Sequence, residues 1–297
     1  MLFRNDSSGA VSTMNSWVAE KTDNKITNII EQSVINDHAR LIIVNAVYFK
    51  ADWLKKFDIE VTSVDNFYVS SRESVPVKMM FMRKVELNYG VNDELRCHAV
   101  ELPYVGNTAS MFIILPVDTK TNLAEVEKKL TPDDLINVDD KFGMAPIEGQ
   151  LWLPRFRLDE TLSLEEALAG MGMTDLFKEG DADLSGVDGT NRLYVSKAVH
   201  RAVCDVTEEG TEAAAIAGWS LGCDLRKDYN SFRFRADRPF VFLIQDKPTR
   251  SILFLGRLVK PPAVPSAGTS YFSCSQGRRE GGTRGTCPPE IPMLKKI

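Results

Sequence analysis

Few side chains in this sequence have the chemistry of a metal site or a catalytic nucleophile. The three histidines and five cysteines are His38, His98, His200, Cys97, Cys204, Cys223, Cys274 and Cys287. No two cysteines stand in C-x-x-C spacing, which argues against a zinc or thioredoxin-type site, and three histidines offer little material for a His-based metal site. The odd cysteine count leaves at least one thiol free, and buried or incidental cysteines are the simplest interpretation. We therefore expect neither a metal nor a cofactor.

Hydrolytic chemistry is also disfavoured. The G-x-S-x-G string of α/β hydrolases occurs once, at Gly218-Trp219-Ser220-Leu221-Gly222, but a five-residue match is a weak signal on its own, and no Ser/His/Asp adjacency can be read from the sequence. The chain is mildly acidic, with 36 Lys+Arg against 41 Asp+Glu, which argues against a nucleic-acid partner. No apolar run approaches the ~20 residues that cross a bilayer, and the first residues lack the apolar stretch of a signal peptide. We expect no enzyme, no nucleic acid and no membrane.

The most informative segment runs from Val206 to Gly218 and reads Val-Thr-Glu-Glu-Gly-Thr-Glu-Ala-Ala-Ala-Ile-Ala-Gly. Its alanines are compatible with a helix. Read by twos, it instead has the pattern of a strand with one buried face. The residues of that face are Thr211, Ala213, Ala215, Ala217, Trp219, Leu221 and Cys223. Small leading residues would let the segment enter a tight slot, but composition alone does not decide between helix and strand.

Apolar periodicity predicts many strands and a few helices around this segment. The predicted strands are 41–49, 66–70, 77–82, 85–91, 97–102, 110–115, 151–158, 193–206, 239–245 and 251–259. The predicted helices are 12–22, 121–130, one beginning at Thr131, and 163–170 with a capping box of Ser163 and Glu166. The run 41–49 is almost wholly apolar, which favours a central strand buried on both faces. From about Ala263 to Ile297 the Gly-, Pro-, Ser- and Arg-rich composition predicts a disordered tail.

The segment Glu-Glu-Gly-Thr-Glu-Ala-Ala-Ala resembles the hinge of the reactive-centre loop of serpins. The resemblance extends from about Asn15 to Pro262 and rests on an ordered series of motifs. These are Asn45-Ala46-Val47-Tyr48-Phe49-Lys50 with Trp53, Glu101-Leu102-Pro103-Tyr104, Ser110-Met111 to Leu115-Pro116, Leu153-Pro154-Arg155-Phe156, Ala182-Asp183-Leu184-Ser185-Gly186, Val199-His200-Arg201-Ala202 and Ala236-Asp237-Arg238-Pro239-Phe240. It implies a mixed α and β, multi-sheet serpin fold in which the sheets are mostly antiparallel.

Serpins are suicide inhibitors of serine proteases, and some inhibit cysteine proteases. The resemblance implies that a protease attacks a bond in the exposed loop 207–231 and that the cleaved loop then inserts into the central sheet. Serpin loop insertion is itself a recognised example of strand addition and stored strain. Excess volume in a packed core costs ~1–3 kcal/mol per site, so the small hinge residues favour an inhibitory member. A non-inhibitory binding or carrier protein is the alternative.

The resemblance also assigns roles to individual residues. The hinge comprises Glu208, Glu209, Gly210, Thr211, Glu212, Ala213, Ala214 and Ala215. The scissile bond is either Asp224-Leu225, by the family's count from Gly210, or Arg226-Lys227, which would suit a trypsin-like protease. Asn45 and His200 match the shutter, where a buried His–Asn hydrogen bond is remade on insertion. Trp53, Arg155 and Glu208 match the breach, with Arg155 in place of the family's usual lysine.

The resemblance starts part-way through the family fold, whose first third has no counterpart here. Residues 12–22 correspond to the helix that lies across the central sheet. We therefore divide the chain into a remnant 1–14, a partial serpin domain 15–262 and an unrelated tail 263–297, and expect a truncated gene model or splice product. Strand 41–49 would then expose an apolar patch, and inhibition would be impaired. The family implies an extracellular monomer in the full-length form.

Overall fold

The computed structural model describes residues 7–35, 39–49, 51–119, 121–190, 192–209 and 231–264. Its α-helices are α1 (Ser7–Lys21), α2 (Leu123–Lys129), α3 (Pro132–Ile136), α4 (Val138–Lys141), α5 (Glu165–Gly170) and α6 (Ser185–Asp188). Short 3₁₀ turns lie at Gln32–Val34, Ile59–Val61 and Asp175–Phe177. The strands are β1 (Leu41–Phe49), β2 (Ser63–Tyr68), β3 (Ser74–Asn92), β4 (Cys97–Pro103), β5 (Ala109–Pro116), β6 (Ala145–Pro154), β7 (Phe156–Ser163), β8 (Val195–Val206), β9 (Phe232–Arg235), β10 (Phe240–Asp246) and β11 (Ser251–Leu258).

The strands form two sheets. The larger has eight strands in the order β11-β10-β5-β4-β3-β6-β9, with β2 paired to β3, and the smaller has the order β1-β8-β7. Pairing is antiparallel except between β1 and β8 and between β6 and β9. The prediction of mostly antiparallel sheets with helices is confirmed.

The main core lies against one face of the larger sheet. Alternate side chains of β3, β5, β6 and β10 point into it, and the other face of β5 and β10 is buried against α2 and α4. Phe156 at the start of β7 contacts Phe240 and Phe242 of β10 with ring centroids 6.0 and 5.7 Å apart, which joins the smaller sheet to this core.

A second apolar cluster covers one face of the smaller sheet. Val18 of α1 and Ile26 of the segment after it are fully buried in a cluster that includes Val199 and Val203 of β8. Asn15 ties α1 to that segment, because its side chain accepts from the amides of Ile29 and Ile30 at 2.9 and 3.1 Å. The helix and the segment that follows it therefore form one cover over β1 and β8.

Several local predictions differ from the structure. Strand β1 lies at the edge of the smaller sheet, and Ile43 and Asn45 on its uncovered face are exposed, so its prediction as a central strand buried on both faces is wrong. An apolar run shows that its residues can be buried, but it does not show whether neighbouring elements are present to bury them. The Ser163–Glu166 capping box is also wrong: Leu164 occupies the N-cap, and the Ser163 hydroxyl bonds Glu165.

Other boundaries moved by smaller amounts. Helix α1 begins at Ser7 instead of residue 12, and the two strands predicted at 77–82 and 85–91 form the single strand β3, with an irregularity between Met82 and Val85. The predicted strand 151–158 is divided between β6 and β7, and β9 was not predicted. Thr131 caps α3 as expected, in a capping box with Asp134. The predicted tail lies outside the described residues from 265 onward.

One carboxylate inside the larger sheet is buried and fully paired. Glu101 is 4% exposed and accepts hydrogen bonds from Asn88, Ser110 and Lys247 at 2.6, 2.7 and 2.8 Å. Burial alone would raise the pKa of Glu101, but these three donors hold it below its ordinary value. The network joins β3, β4 and β5 to the turn after β10.

We predict that Glu101→Gln lowers the free energy of unfolding by about 1–3 kcal/mol at neutral pH, because the partly exposed Lys247 ammonium loses its carboxylate partner. A lowered folded-state pKa stabilises the fold above the unfolded-state value of ~4.3, and this contribution is lost as the pH falls through the folded-state value. The wild-type advantage should therefore shrink below about pH 4, as measured by urea denaturation across pH. Glu148→Gln, at an exposed carboxylate, is the control; an equal loss there would contradict the prediction.

Candidate functional site

The chain that leaves β8 is held by the segment between β1 and β2. The Trp53 amide donates to the Glu209 carbonyl at 3.1 Å, and the Phe57 amide donates to the Glu208 carbonyl at 2.8 Å. The Trp53 indole Nε1 donates to the Thr207 carbonyl at 2.9 Å. Three consecutive carbonyls, those of residues 207–209, are thus bonded to residues 53–57 immediately before the Gly-Thr-Glu-Ala-Ala-Ala run.

Trp53 is itself rigidly placed. It is 1% exposed and stacks on Tyr104, with ring centroids 4.5 Å apart and an interplanar angle of 11°. Trp53 and Tyr104 also form an antiparallel backbone bridge. Burial raises the pKa of Tyr104 well above its ordinary value, so the ring stays neutral beneath the indole. The sequence identified Trp53, whereas the contacts of Tyr104 and Phe57 with this site were missed because no pattern links positions so far apart in the chain.

Glu208 and Arg155 meet beside the same segment. Glu208 is 3% exposed, and its Oε2 lies 3.6 Å from Nη1 of Arg155, whose side chain is 43% exposed. A buried carboxylate is unfavourable unless it is paired, so the arginine compensates part of the cost of burying Glu208. The structure thus brings together all three residues that the sequence grouped, Trp53, Arg155 and Glu208.

Asn45 and His200 are directly opposite each other across the parallel β1–β8 pair. Asn45 is exposed and His200 is half-buried, and within the described part of the chain no hydrogen bond joins their side chains. The predicted neighbourhood is present, but the buried His–Asn hydrogen bond is not. The face of β1 and β8 that carries them is opposite the one covered by α1.

Residues 210–230 lie outside the described residues. They include Gly210 to Ala215 of the hinge and both scissile-bond candidates, Asp224-Leu225 and Arg226-Lys227. Those assignments stay predictions. The described site therefore consists of the near end of the loop, at residues 207–209, and its far end, where β9 begins at Phe232.

The described residues offer little other reactive chemistry. No group of three His, Cys, Asp or Glu in them could hold a metal ion, and no described helix is long and apolar enough to cross a membrane. Cys97 and Cys204 are buried free thiols, and burial raises the pKa of each to about 12. Thiols with so high a pKa are poor nucleophiles at neutral pH.

Comparisons with known proteins agree on one family. The family model described as "Serpin (serine protease inhibitor)" matches residues 1–261. The leukocyte elastase inhibitor of Xenopus tropicalis is 42% identical over 253 residues, 84% of this chain and 65% of the relative. That of Homo sapiens is 39% identical over 263 residues, 87% of this chain and 68% of the relative. Human plasminogen activator inhibitor 2 is 39% identical, over 84% of this chain and 60% of the relative.

Solved structures give the same result. The structure of uncleaved ovalbumin matches with a TM-score of 0.76 and 30% identity, over 88% of this chain and 65% of that one. Serpin48 of the insect Tenebrio molitor matches with a TM-score of 0.74 and 29% identity, over 88% of this chain and 67% of that one. The chain spans about two thirds of the length of these relatives. The motif series, the two sheets and the family match agree that the chain belongs to the serpin family.

Proposed function

We propose that the chain belongs to a serpin-type serine protease inhibitor and that residues 207–231 are its reactive loop. The observation that carries the proposal is the bonding of residues 207–209 to Trp53 and Phe57 at the end of β8. A run of small residues follows that point directly.

The direction of the strands supports insertion between β1 and β8. These two strands are parallel to each other. A segment that folds back from the end of β8 runs antiparallel to β8 and therefore to β1 as well. It could form antiparallel ladders on both sides, which are slightly more stable per residue than the parallel pair they replace. The strands must first separate along nine paired positions, from Leu41↔Val195 to Phe49↔Cys204.

The proposed chemistry begins in the protease. Its serine attacks the scissile carbonyl, forms an acyl-enzyme on the N-terminal part of the loop and releases the new amino terminus. Insertion of that part then displaces the attached protease before water can hydrolyse the ester. The scissile bond is either Asp224-Leu225 or Arg226-Lys227; the second would select a protease that prefers basic residues. The leukocyte elastase inhibitors and plasminogen activator inhibitor 2 support a serine protease as the target class.

The remaining assignments are part of the same proposal. Trp53, Arg155 and Glu208 act as the breach and Asn45 and His200 as the shutter, where strand separation begins. An extracellular, monomeric full-length form and the unrelated nature of residues 263–297 are predictions from the family alone. The small hinge argues against the alternative of a non-inhibitory binding or carrier protein.

In a longer form of this protein that traps a protease, Thr211→Arg should convert the inhibitor into a substrate. The side chain at 211 becomes buried on insertion, and an unpaired buried charge is strongly unfavourable. Cleavage should stay fast while the yield of SDS-stable complex falls at least about tenfold. Glu212→Arg is the matched control, because strand alternation would place residue 212 on the opposite face of the inserted segment. Wild-type yield from Thr211→Arg would show that insertion is not the mechanism.

Trp53→Phe should loosen the start of the loop without unfolding the protein. It keeps an aromatic ring on Tyr104 but leaves the Thr207 carbonyl without its indole donor, at a cost of about 1–3 kcal/mol. Amide exchange in residues 207–209 should speed up, and urea should unfold the variant at a lower concentration. The control is Trp17→Phe, at a tryptophan that is 53% exposed on α1. Equal effects from the two changes would contradict the role given to Trp53.

Expressed alone, the 297 residues should be cleaved by a protease without trapping it. The smaller sheet has three described strands, so a strand inserted into it would gain little stabilisation from its neighbours. Strand β1 lies at its edge with Ile43 42% exposed, which makes β1 prone to association. The measurement is a denaturing gel after mixing with trypsin- and chymotrypsin-like proteases. A covalent complex at near-equimolar stoichiometry would refute this prediction and leave the family assignment intact.

A further inference from the structure

Strand β9 is the first described element after the loop, and its backbone alone holds it weakly. It has four residues and lies at the end of the larger sheet. Its partner is β6, in a parallel ladder from Gly149↔Phe232 to Trp152↔Arg235. Parallel pairing is slightly less stable per residue than antiparallel pairing, and a four-residue edge strand makes few such bonds. Side chains must therefore supply much of what keeps β9 in place.

The inner face of β9 is held by an aromatic stack. Phe232 and Phe234 are 4% and 2% exposed. The Phe232 ring stacks on Tyr89 of β3 at 5.0 Å and 7°. The Tyr89 hydroxyl lies 2.5 Å from Nδ1 of His98 on β4. Burial, with Arg238 nearby, lowers the pKa of His98 while burial raises that of Tyr89, so a neutral imidazole and a protonated phenol share this hydrogen bond.

Gly149 allows β9 to approach β6 closely. A Cβ added at this position would lie 2.3 Å from Cδ1 and 2.4 Å from the carbonyl oxygen of Phe232. Both distances are far below contact distance, and one of the atoms belongs to backbone that cannot turn away. Any other residue at 149 would push the first residue of β9 off the sheet.

The outer face of β9 is held by cation–π contacts between its two arginines and Trp152 of β6. The guanidinium carbons of Arg233 and Arg235 lie 5.4 and 5.6 Å from the ring centre of Trp152. Phe81 stacks on the same indole at 4.7 Å and 24°. Arg235 also bonds Asp237 at 2.9 Å and contacts Asp65. Successive residues of β9 thus alternate between the aromatic stack and Trp152.

We propose that Tyr89, Gly149 and Trp152, here called the distal clamp, are positioning residues that fix the far end of the reactive loop. The proposal rests on the proposed function, in which the N-terminal part of the cleaved loop moves and the C-terminal part stays. The near end of the loop is held by the Glu208–Arg155 ion pair and by three hydrogen bonds to carbonyls, which a sheet ladder can replace, whereas the far end is held on both faces of a strand by packing. The near end is therefore the one that yields when the loop is cut. The clamp also sets the distance from the scissile bond to the sheet, which restricts the bonds that a protease can reach.

Trypsin tests the clamp in the 297-residue chain, because Arg233 and Arg235 are themselves trypsin sites. In the wild type we expect cleavage after Arg226 and Lys227, while the bonds after Arg233 and Arg235 resist. In Trp152→Leu and Gly149→Ala the bonds in β9 should be cut about tenfold faster, because two cation–π contacts or the close approach to β6 are lost. Trp152→Phe, which keeps a smaller π face, should give an intermediate rate. Fragments are identified by mass spectrometry.

Two controls separate a local clamp from general loss of stability. Trp53→Phe perturbs the near end of the loop and should leave the ratio of cleavage in β9 to cleavage after Arg201 unchanged. Cleavage after Arg201, within β8 of the smaller sheet, reports global unfolding. The proposal is overturned if the clamp variants cut no faster in β9, or if cleavage after Arg201 rises in parallel. Neither result depends on trapping a protease, so failure of the clamp and failure of the inhibitory mechanism are distinguishable.

Discussion

The parallel pairing of β1 with β8 is the constraint on which the rest of this structure depends. It closes the position that a new strand would occupy, and the cover formed by α1 and the segment tied to it by Asn15 spans both strands. These two strands are paired with no gap between them, yet their one parallel ladder could be exchanged for two antiparallel ladders. Replacing the parallel ladder by two antiparallel ladders would supply free energy for the proposed mechanism. Helix α1 and the segment after it must shift before β1 and β8 can separate.

The two ends of the loop are secured by different physics. At the near end, carbonyls of residues 207–209 accept hydrogen bonds from a buried tryptophan and its neighbours, and such bonds can be exchanged for those of a sheet at little net cost. At the far end, aromatic packing and close backbone approach hold β9, and these contacts have no replacement once lost. Glu208 adds an ionic contact at the near end. Burial of its carboxylate is favourable only while Arg155 lies beside it.

The sequence pointed to the residues that hold the chain at 207–209 but not to those that hold strand β9, for a physical reason. The resemblance grouped Trp53, Arg155 and Glu208, and the structure places them side by side. The hinge assignment after Gly210 stays a prediction. Strand β9 has four residues, too short for periodicity to register, and its stability comes from Tyr89 and Trp152, far away in the chain. In the sequence, Gly149 is only an unfavourable residue for a strand. Its role in the close approach of Phe232 is visible only in the folded protein. Likewise, the burial of β1 could not be foreseen, because burial is a property of neighbours.

Cys204 gives the smaller sheet a chemical reporter of its own. It lies on β8 opposite Phe49 of β1, is 4% exposed and has its pKa raised to about 12 by burial. Its thiol reacts with an alkylating agent only when water and base reach it, and separation of β1 from β8 would remove its neighbour Phe49. Cys97, equally buried in the larger sheet, has no such dependence and serves as an internal reference. The ratio of the alkylation rate of Cys204 to that of Cys97 thus distinguishes separation of β1 from β8 from global unfolding in a single sample.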